Sequence, residues 1–290
     1  LDVSKIDSTL GALAIPSKLP SDAPFTLTAP TSTVSSIISP VNTITSASSM
    51  IVPPSMDILD IRDISYGTTW LQWGADIVGN QVDERSGFSV SMSADGTIVA
   101  IGSFTFNVTG SNEGRTRVYK YNGSVWVQLG LDILGNQADE NSGIHVSLSA
   151  DGTIVAIGSS GFNTTAGIAD AGRTRVFQFN GTSWSQLGSD ITGVQTSEES
   201  GYRVSLSADG TILAVGSYIY DKAGGTTNAG TNEGRTRVFK YNGSVWSQLG
   251  LDISANQVDE RSGFSISLST DGTIVAVGSY TYNVTGSNEG

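Results

Sequence analysis

One feature limits what this chain can fold into more than any other: from Ser86 onward it repeats a single pattern. The unit is clearest between Ser86 and Trp126. It reads Ser86-Gly87-Phe88-Ser89-Val90-Ser91-Met92-Ser93-Ala94-Asp95-Gly96-Thr97, then Ile98-Val99-Ala100-Ile101-Gly102-Ser103. A variable loop follows, then Arg115-Thr116-Arg117-Val118-Tyr119-Lys120-Tyr121-Asn122-Gly123-Ser124-Val125-Trp126. The pattern returns from Ser142 to Trp184 and from Ser200 to Trp246, and begins again at Ser262. The tryptophans keep count: Trp70 to Trp126 is 56 residues, Trp126 to Trp184 is 58, and Trp184 to Trp246 is 62. Such a period marks a repeat architecture, in which one supersecondary unit cannot bury its apolar face alone and must stack on the next. The drift falls in one place, the segments 104–114, 160–172 and 218–234, which grow by insertion between fixed flanks.

Within a unit the residues predict four short antiparallel strands. Phe88 to Ser93 alternates with period 2. Ala94-Asp95-Gly96-Thr97 reads as a hairpin, and Asp-Gly predicts a type I′ turn with positive φ at both residues. Ile98 to Gly102 is a continuous apolar run, as in a strand buried on both faces. Thr116 to Tyr121 is the third strand. Asn122-Gly123 makes the next hairpin, and Ser124 to Gly130 is the outer strand. Leu131-Asp132-Ile133 then leads into the next unit. Repeated four-stranded antiparallel units predict an all-β fold, a β-propeller of four blades or part of a larger ring. The units run at about 87–133, 143–191, 201–253 and 263–290, and 58–77 resembles the second half of a unit that would complete the last one. Residues 255–290 repeat 79–114 almost residue for residue, which favours an arc of a larger ring running on into another Arg-Thr-Arg strand.

Residues 1–57 differ from the propeller region 58–290. They hold all seven prolines and one glycine, Gly11, of the 35. Proline fixes φ and removes a ladder donor, so an extended Ser/Thr/Pro-rich arm is expected rather than a central strand. Phe25-Thr26-Leu27-Thr28 alternates like an edge strand, and Val41-Asn42-Thr43-Ile44 does so less well. Spaced apolar residues such as Ile15, Leu19, Phe25, Leu27, Ile51 and Val52 suit docking by strand pairing on a neighbouring subunit. The composition alone equally fits a disordered or O-glycosylated stalk.

Composition narrows the chemistry. The net charge of −12 argues against a nucleic-acid partner. There is no Cys, so disulfides and thiolate sites are excluded. No run of 18 apolar residues predicts a membrane span. The single His145 has Ser89, Arg203 and Ser265 as repeat mates and is expected on an exposed face. With one His and no Cys, zinc and Ser-His catalysis lack their parts, so no catalytic residue is assigned and a non-enzyme is expected.

Other polar groups recur once per unit and therefore read as structural. Acidic pairs stand at Asp83-Glu84, Asp139-Glu140, Glu198-Glu199 and Asp259-Glu260. Arg115/Arg117, Arg173/Arg175 and Arg235/Arg237 lie two apart on a strand, hence on one face. They are expected to bridge to the acidic pair of a neighbouring unit. Calcium held by Asp83, Glu84, Asp139, Glu140, Asp259 and Glu260 is the alternative, and no other cofactor is expected. Trp126, Trp184 and Trp246 recur with Gln128, Gln186 and Gln248, which points to packing between blades. N-x-Ser/Thr sequons fall at Asn107, Asn163 and Asn283 in the variable loop, and at Asn122, Asn180 and Asn242 in the Asn-Gly turn.

Ser86-Gly87-Phe88-Ser89-Val90-Ser91, the Asp95-Gly96 turn and Ile98-Val99-Ala100-Ile101-Gly102-Ser103 resemble the FG-GAP repeat of integrin-α-type propellers. The units are also similar to Trp-Gln-Leu-Gly repeat proteins of microbial and algal surfaces. The resemblance spans about 58–290 and implies a surface-exposed propeller. Two departures stand out. The turn at Ala94–Thr97 is too short for a calcium loop, and Gly-Ser replaces the family's Gly-Ala-Pro. The expectation is a non-enzymatic, glycosylated structural or adhesive protein, extracellular or on a cell or virion surface. It would self-associate or bind other surface proteins, as the protomer of a filament whose arm reaches the next subunit. The alternative is a lectin-like propeller that binds glycans through its rim loops.

Overall fold

A computed structural model of the chain describes residues 71–223 and 230–284; the arm 1–57 with its two strand candidates, and the segment 58–70, lie outside the described residues. All regular structure among the described residues is β. The first sheet contains β1 (Ser89–Met92), β2 (Ile98–Ser103), β3 (Arg115–Tyr121), β4 (Trp126–Gln128) and β5 (Ile133–Leu134). The second contains β6 (Ser142–Leu148), β7 (Ile154–Ser159), β8 (Arg173–Phe179), β9 (Trp184–Gln186) and β10 (Ile191–Thr192). The third contains β11 (Arg203–Leu206), β12 (Ile212–Ser217), β13 (Arg235–Tyr241), β14 (Trp246–Gln248) and β15 (Ile253–Ser254). A last pair, β16 (Ser262–Leu268) and β17 (Val275–Ser279), stands alone. Every pairing within a sheet is antiparallel, in the order first, second, third, fourth strand.

Three of the four expected four-stranded units are present among the described residues, each with one addition, while the fourth shows only β16 and β17 and no strand forms at 71–77. The outer strand breaks and resumes, so β4 pairs with Tyr119–Tyr121 while the short β5 pairs with Arg115–Thr116 at the other end of β3. Gly130, at φ 68°, turns the chain out and back between the two pieces.

Both hairpins form where the sequence puts them, but neither is type I′. Gly96 and Gly123 have φ of 74° and 95°, while Asp95 and Asn122 stay out of the left-handed region. The side chains explain this. Asp95 Oδ1 accepts from Ser93 Oγ and Thr97 N, and Asn122 Oδ1 accepts from Ser124 N and Val125 N. An Asx side chain that closes the turn itself leaves only the glycine needing positive φ.

The core lies between consecutive sheets rather than within one. Ile98, Ala100 and Val118 of the first sheet pack with Val146, Leu148, Val155 and Ile157 of the second. A second cluster joins Ala156 and Val176 to Val204, Leu206, Leu213 and Val215 of the third. In the three complete sheets the apolar second strands are buried, Ile154 at the start of β7 excepted, as their composition predicts, whereas β17 is half-buried to exposed. The sheets approach to backbone contact: a Cβ on Gly102, Gly158 or Gly216 would run into the carbonyl oxygen of Gly143, Gly201 or Gly263 of the next unit. At the same seam, the amides of Val146 and Leu148 donate to Ser89 Oγ and Ser91 Oγ at 3.0 and 2.9 Å.

Candidate functional site

The recurrent charged residues meet at the joints between sheets. The connector 135–142 leaves the first sheet bonded to it through its backbone: Gly135 N donates to Gly114 O, Asn141 N to Asn112 O and Ser142 N to Glu113 O. Its Glu140 carboxylate then reaches the second sheet. Oε2 accepts from Asn136 N and Gln137 N, while Oε1 accepts from Arg173 Nε at 3.0 Å and Nη2 at 2.6 Å. Arg175 stands 3.5 Å from the same oxygen. Glu198 holds Arg235 in the same way, and Glu84 holds Arg115.

Each first arginine is enclosed further. Arg173 Nη1 donates to Asp190 at 2.9 Å, and its guanidinium lies 4.0 Å over the Phe162 ring. Arg115 uses Asp132 and Phe106, and Arg235 uses Asp252 and Tyr220. Burial opposes ionisation at Glu84, but Arg115 outweighs it and holds the carboxyl below its ordinary range. The second arginines bond no second acid: Arg175 Nη2 donates to Leu134 O and Ser142 Oγ, and its guanidinium lies 5.3 Å from the Phe177 ring. Burial, then the neighbouring guanidinium, pushes Arg175 and Arg237 down to about 10.

The expected bridge between Arg row and acidic pair is therefore present, and only the glutamate makes it. The aspartates face the other way: Asp139 Oδ1 accepts from Ser111 and Asn112, and Asp259 Oδ1 accepts from Asn232, all in the preceding unit's loop. Asp83, Asp139 and Asp259 have φ near 59°, 56° and 59°. Of the six residues weighed as calcium ligands, Glu84 and Glu140 hold arginines while Asp139 and Asp259 bond the preceding loop, and among the described residues no three acidic or histidine side chains come together.

The variable loops are anchored at both ends. Gln137 donates to Asn163 O and accepts from Asn163 N, both at 3.0 Å. Gln81 clamps Asn107 in this way, Gln195 clamps Asp221 and Gln257 clamps Asn283. The clamped side chain then closes the loop: Asn112 N donates to Asn107 Oδ1, Asp170 N to Asn163 Oδ1 and Asn232 N to Asp221 Oδ1. Insertions fall inside this closure, so added residues leave the sheet undisturbed. Glu113 completes the first loop. Burial opposes its ionisation, but the amides of Val108, Thr109 and Gly110 hold its carboxyl down to about 2.

Among the sequons, Asn107 and Asn163 are exposed and spend Oδ1 on loop closure. Asn283 is half-buried. Asn122, Asn180 and Asn242 are exposed at hairpin tips, where Oδ1 closes the turn. Trp184 and Trp246 bond the carbonyls of Leu129 and Leu187 in the preceding units and pack against the two cores, so they join sheets.

His145 is not on an exposed face, contrary to its sequence reading. It is half-buried at the second seam, where its Nδ1 accepts from Val204 N at 3.4 Å. It takes the acceptor's place that Ser89 holds one seam earlier. Burial, then the charge of Arg203, lowers its pKa to about 4.

One surface differs among the units, with Phe88 and Phe104 paired under Arg85 in the first. At the base of the third and fourth variable loops, Tyr202, Tyr218, Phe264 and Tyr280 form a chain of rings with centroids 4.4 to 5.7 Å apart. Arg203 lies 4.4 Å over Tyr202, and Arg261 donates to Tyr280 Oη at 2.8 Å. Glu199 bonds Tyr218 and is raised by burial. The second unit carries Ile144 and Ser160 in the corresponding places.

Three elements of the site escape the sequence reading. These are the Gln clamp, the second acid at Asp132, Asp190 and Asp252, and the ring under each first arginine. Each had a signal, since all three recur at fixed offsets from residues that were noticed.

No protein-family model matches this chain, and no curated protein matches it. Among solved structures it is similar to a Bacteroides uniformis protein provisionally named a 6-phosphogluconolactonase. The TM-score is 0.44 at 14% identity, over 66% of this chain and 47% of that one. It is also similar to a functionally unknown protein from Desulfotomaculum acetoxidans, with TM-score 0.42 and 14% identity over 67% and 49%. The chain spans about half the length of each. Likenesses of this size carry no argument about its activity.

Proposed function

We propose that the chain is a non-enzymatic structural or adhesive β-propeller displayed outside a cell or virion. It serves as the glycosylated protomer of a filament or appendage, with the arm 1–57 contacting a neighbouring subunit. The observation that carries this is the use of the recurrent charged residues. Glu140 and Glu198, with their arginines, are buried in joints between sheets, which supports reading the repeat as a stacking device. The resemblance to FG-GAP repeats and the exposed sequon side chains of Asn107 and Asn163 support the same reading. Deleting 1–57 tests it. The truncated chain is expected to remain folded by circular dichroism and to give monomers where the full chain gives assemblies in electron micrographs. Assembly that survives the deletion removes the role of the arm.

A lectin-like role is favoured by one observation, the Tyr202–Tyr218–Phe264–Tyr280 cluster with Arg203 and Arg261. Aromatic faces flanked by donors suit sugar rings. On a glycan array this reading expects selective binding that Tyr280→Ala abolishes.

A further inference from the structure

The pair β16–β17 repeats the first two strands of a sheet, and among the described residues β17 pairs with β16 alone. In each complete sheet the equivalent strand carries a third strand on its other edge in one fixed register. Ser103, Ser159 and Ser217 lie opposite the first arginine of Arg-Thr-Arg, and Ile101, Ile157 and Val215 opposite the second. By that register an added strand would place an arginine opposite Ser279 and another opposite Val277.

The seat for the first arginine is already built. Glu260 Oε2 accepts from Asn256 N and Gln257 N, as Glu140 does from Asn136 and Gln137. Its Oε1, the oxygen that holds a guanidinium in the complete units, accepts only from Ser279 Oγ, at 3.2 Å, among the described residues. The equivalent Ser103, Ser159 and Ser217 hydroxyls are buried without a partner, because arginine has taken the carboxylate. Tyr282, the counterpart of Phe106, Phe162 and Tyr220, is 37% exposed, whereas Phe162 under its arginine is 6% exposed. Asn256 Oδ1, whose counterpart Asn136 Oδ1 accepts from Arg173 Nη2 at 2.8 Å, accepts here from Lys222 Nζ at 3.1 Å.

We infer that the β17 edge is a receptor for an extended segment of the Arg-Thr-Arg-Val-aromatic type. That segment would add as an antiparallel strand, with its first arginine between the Glu260 carboxylate and the Tyr282 ring. Charge complementarity and register select this occupant over two others. Aligning Tyr66 with Tyr121 sets Arg62 in the place of Arg117 but Asp60 in the place of Arg115, so the chain's own 58–70 would set a carboxylate against Glu260. A second copy has its three Arg-Thr-Arg strands committed to their own sheets. The inference does not depend on a role in filaments.

The test uses the chain of residues 1–290 and a labelled peptide with the sequence of residues 234–248, followed by fluorescence anisotropy. Saturable one-to-one binding is expected. Glu260→Gln is expected to weaken it about tenfold, and Tyr282→Ala about fivefold. A peptide with glutamate for its first arginine should fail on the natural chain and bind the Glu260→Arg variant. Both residues lie at an open edge, and circular dichroism of each variant checks that the fold persists. The inference is overturned if the folded chain does not bind the peptide, as when 58–70 or a second copy covers the edge. It is equally overturned if binding ignores the exchange of charges.

Discussion

Strands β7 and β17 carry nearly the same sequence, Ile-Val-Ala-Ile-Gly-Ser and Ile-Val-Ala-Val-Gly-Ser counted from Ile154 and Ile274. They live in different surroundings. Val155, Ala156 and Ile157 are fully buried, while their counterparts Val275 and Val277 are half-buried and Ala276 is exposed. The acid ahead of each strand follows suit. Glu140 is 0% exposed and holds two arginines, whereas Glu260 is half-buried and among the described residues bonds only backbone amides and a serine. The difference teaches that in this molecule burial is conferred by the neighbouring unit and not by the residue. One sequence therefore has two energetic meanings.

That comparison can be broken in three ways, in falling order of effect. Glu140→Ala leaves the Arg173–Arg175 pair buried without its anion and is expected to cost about 3–5 kcal/mol in denaturant unfolding. Glu260→Ala is expected to cost under about 1 kcal/mol, since the charge removed is partly solvated and pairs with no arginine among the described residues. Equal costs would show that the joints do not rest on the ion pair.

Gly158→Ala would drive a methyl into the Gly201 carbonyl, and rigid backbone on both sides cannot yield. A loss of about 3 kcal/mol is expected from this overpacking. At Gly278 the same substitution meets the Ser265 hydroxyl, which can rotate away, so a Tm shift well below that of Gly158→Ala is expected.

The last way concerns pH and leaves stability at pH 7 almost untouched. His145 has a folded pKa of about 4, below its unfolded value, so the unfolded chain binds the extra proton first. Stability is therefore expected to fall as pH drops from about 6.5 to 4, by about 3 kcal/mol, and to be unaffected by this group below that window. His145→Ser restores the acceptor that Ser89 supplies at the first seam. It should flatten that part of the pH profile while leaving stability at pH 7 nearly unchanged.

The strands were legible because their signals are local. Period-2 alternation, an apolar run and Asx-Gly punctuation lie within a few residues of one another, and the turns fell where Asp95-Gly96 and Asn122-Gly123 put them. The turn type at Asp95-Gly96 was misread because the rule for type I′ considers backbone φ alone, while Asp95 closes its turn with its side chain. The arginine row and its acids were legible as recurrent charge of opposite sign. Which acid of each pair faces the arginine was not, since Asp139 and Glu140 are adjacent in sequence and point toward different units. His145 was misplaced for a similar reason. Its strand position predicted a face, but whether the next sheet covers that face is a contact across 59 residues.

By itself the sequence determined the period, the antiparallel units, the loop that takes insertions and the recurrence of one charge pattern per unit. These are properties of short segments, and short segments carry them. Only the tertiary structure decided which copies of an identical segment are core and which are edge, where each carboxylate points, and that Gln81, Gln137, Gln195 and Gln257 hold the variable loops. Those outcomes depend on which surface comes to rest against which, and no single unit of a repeat contains that information.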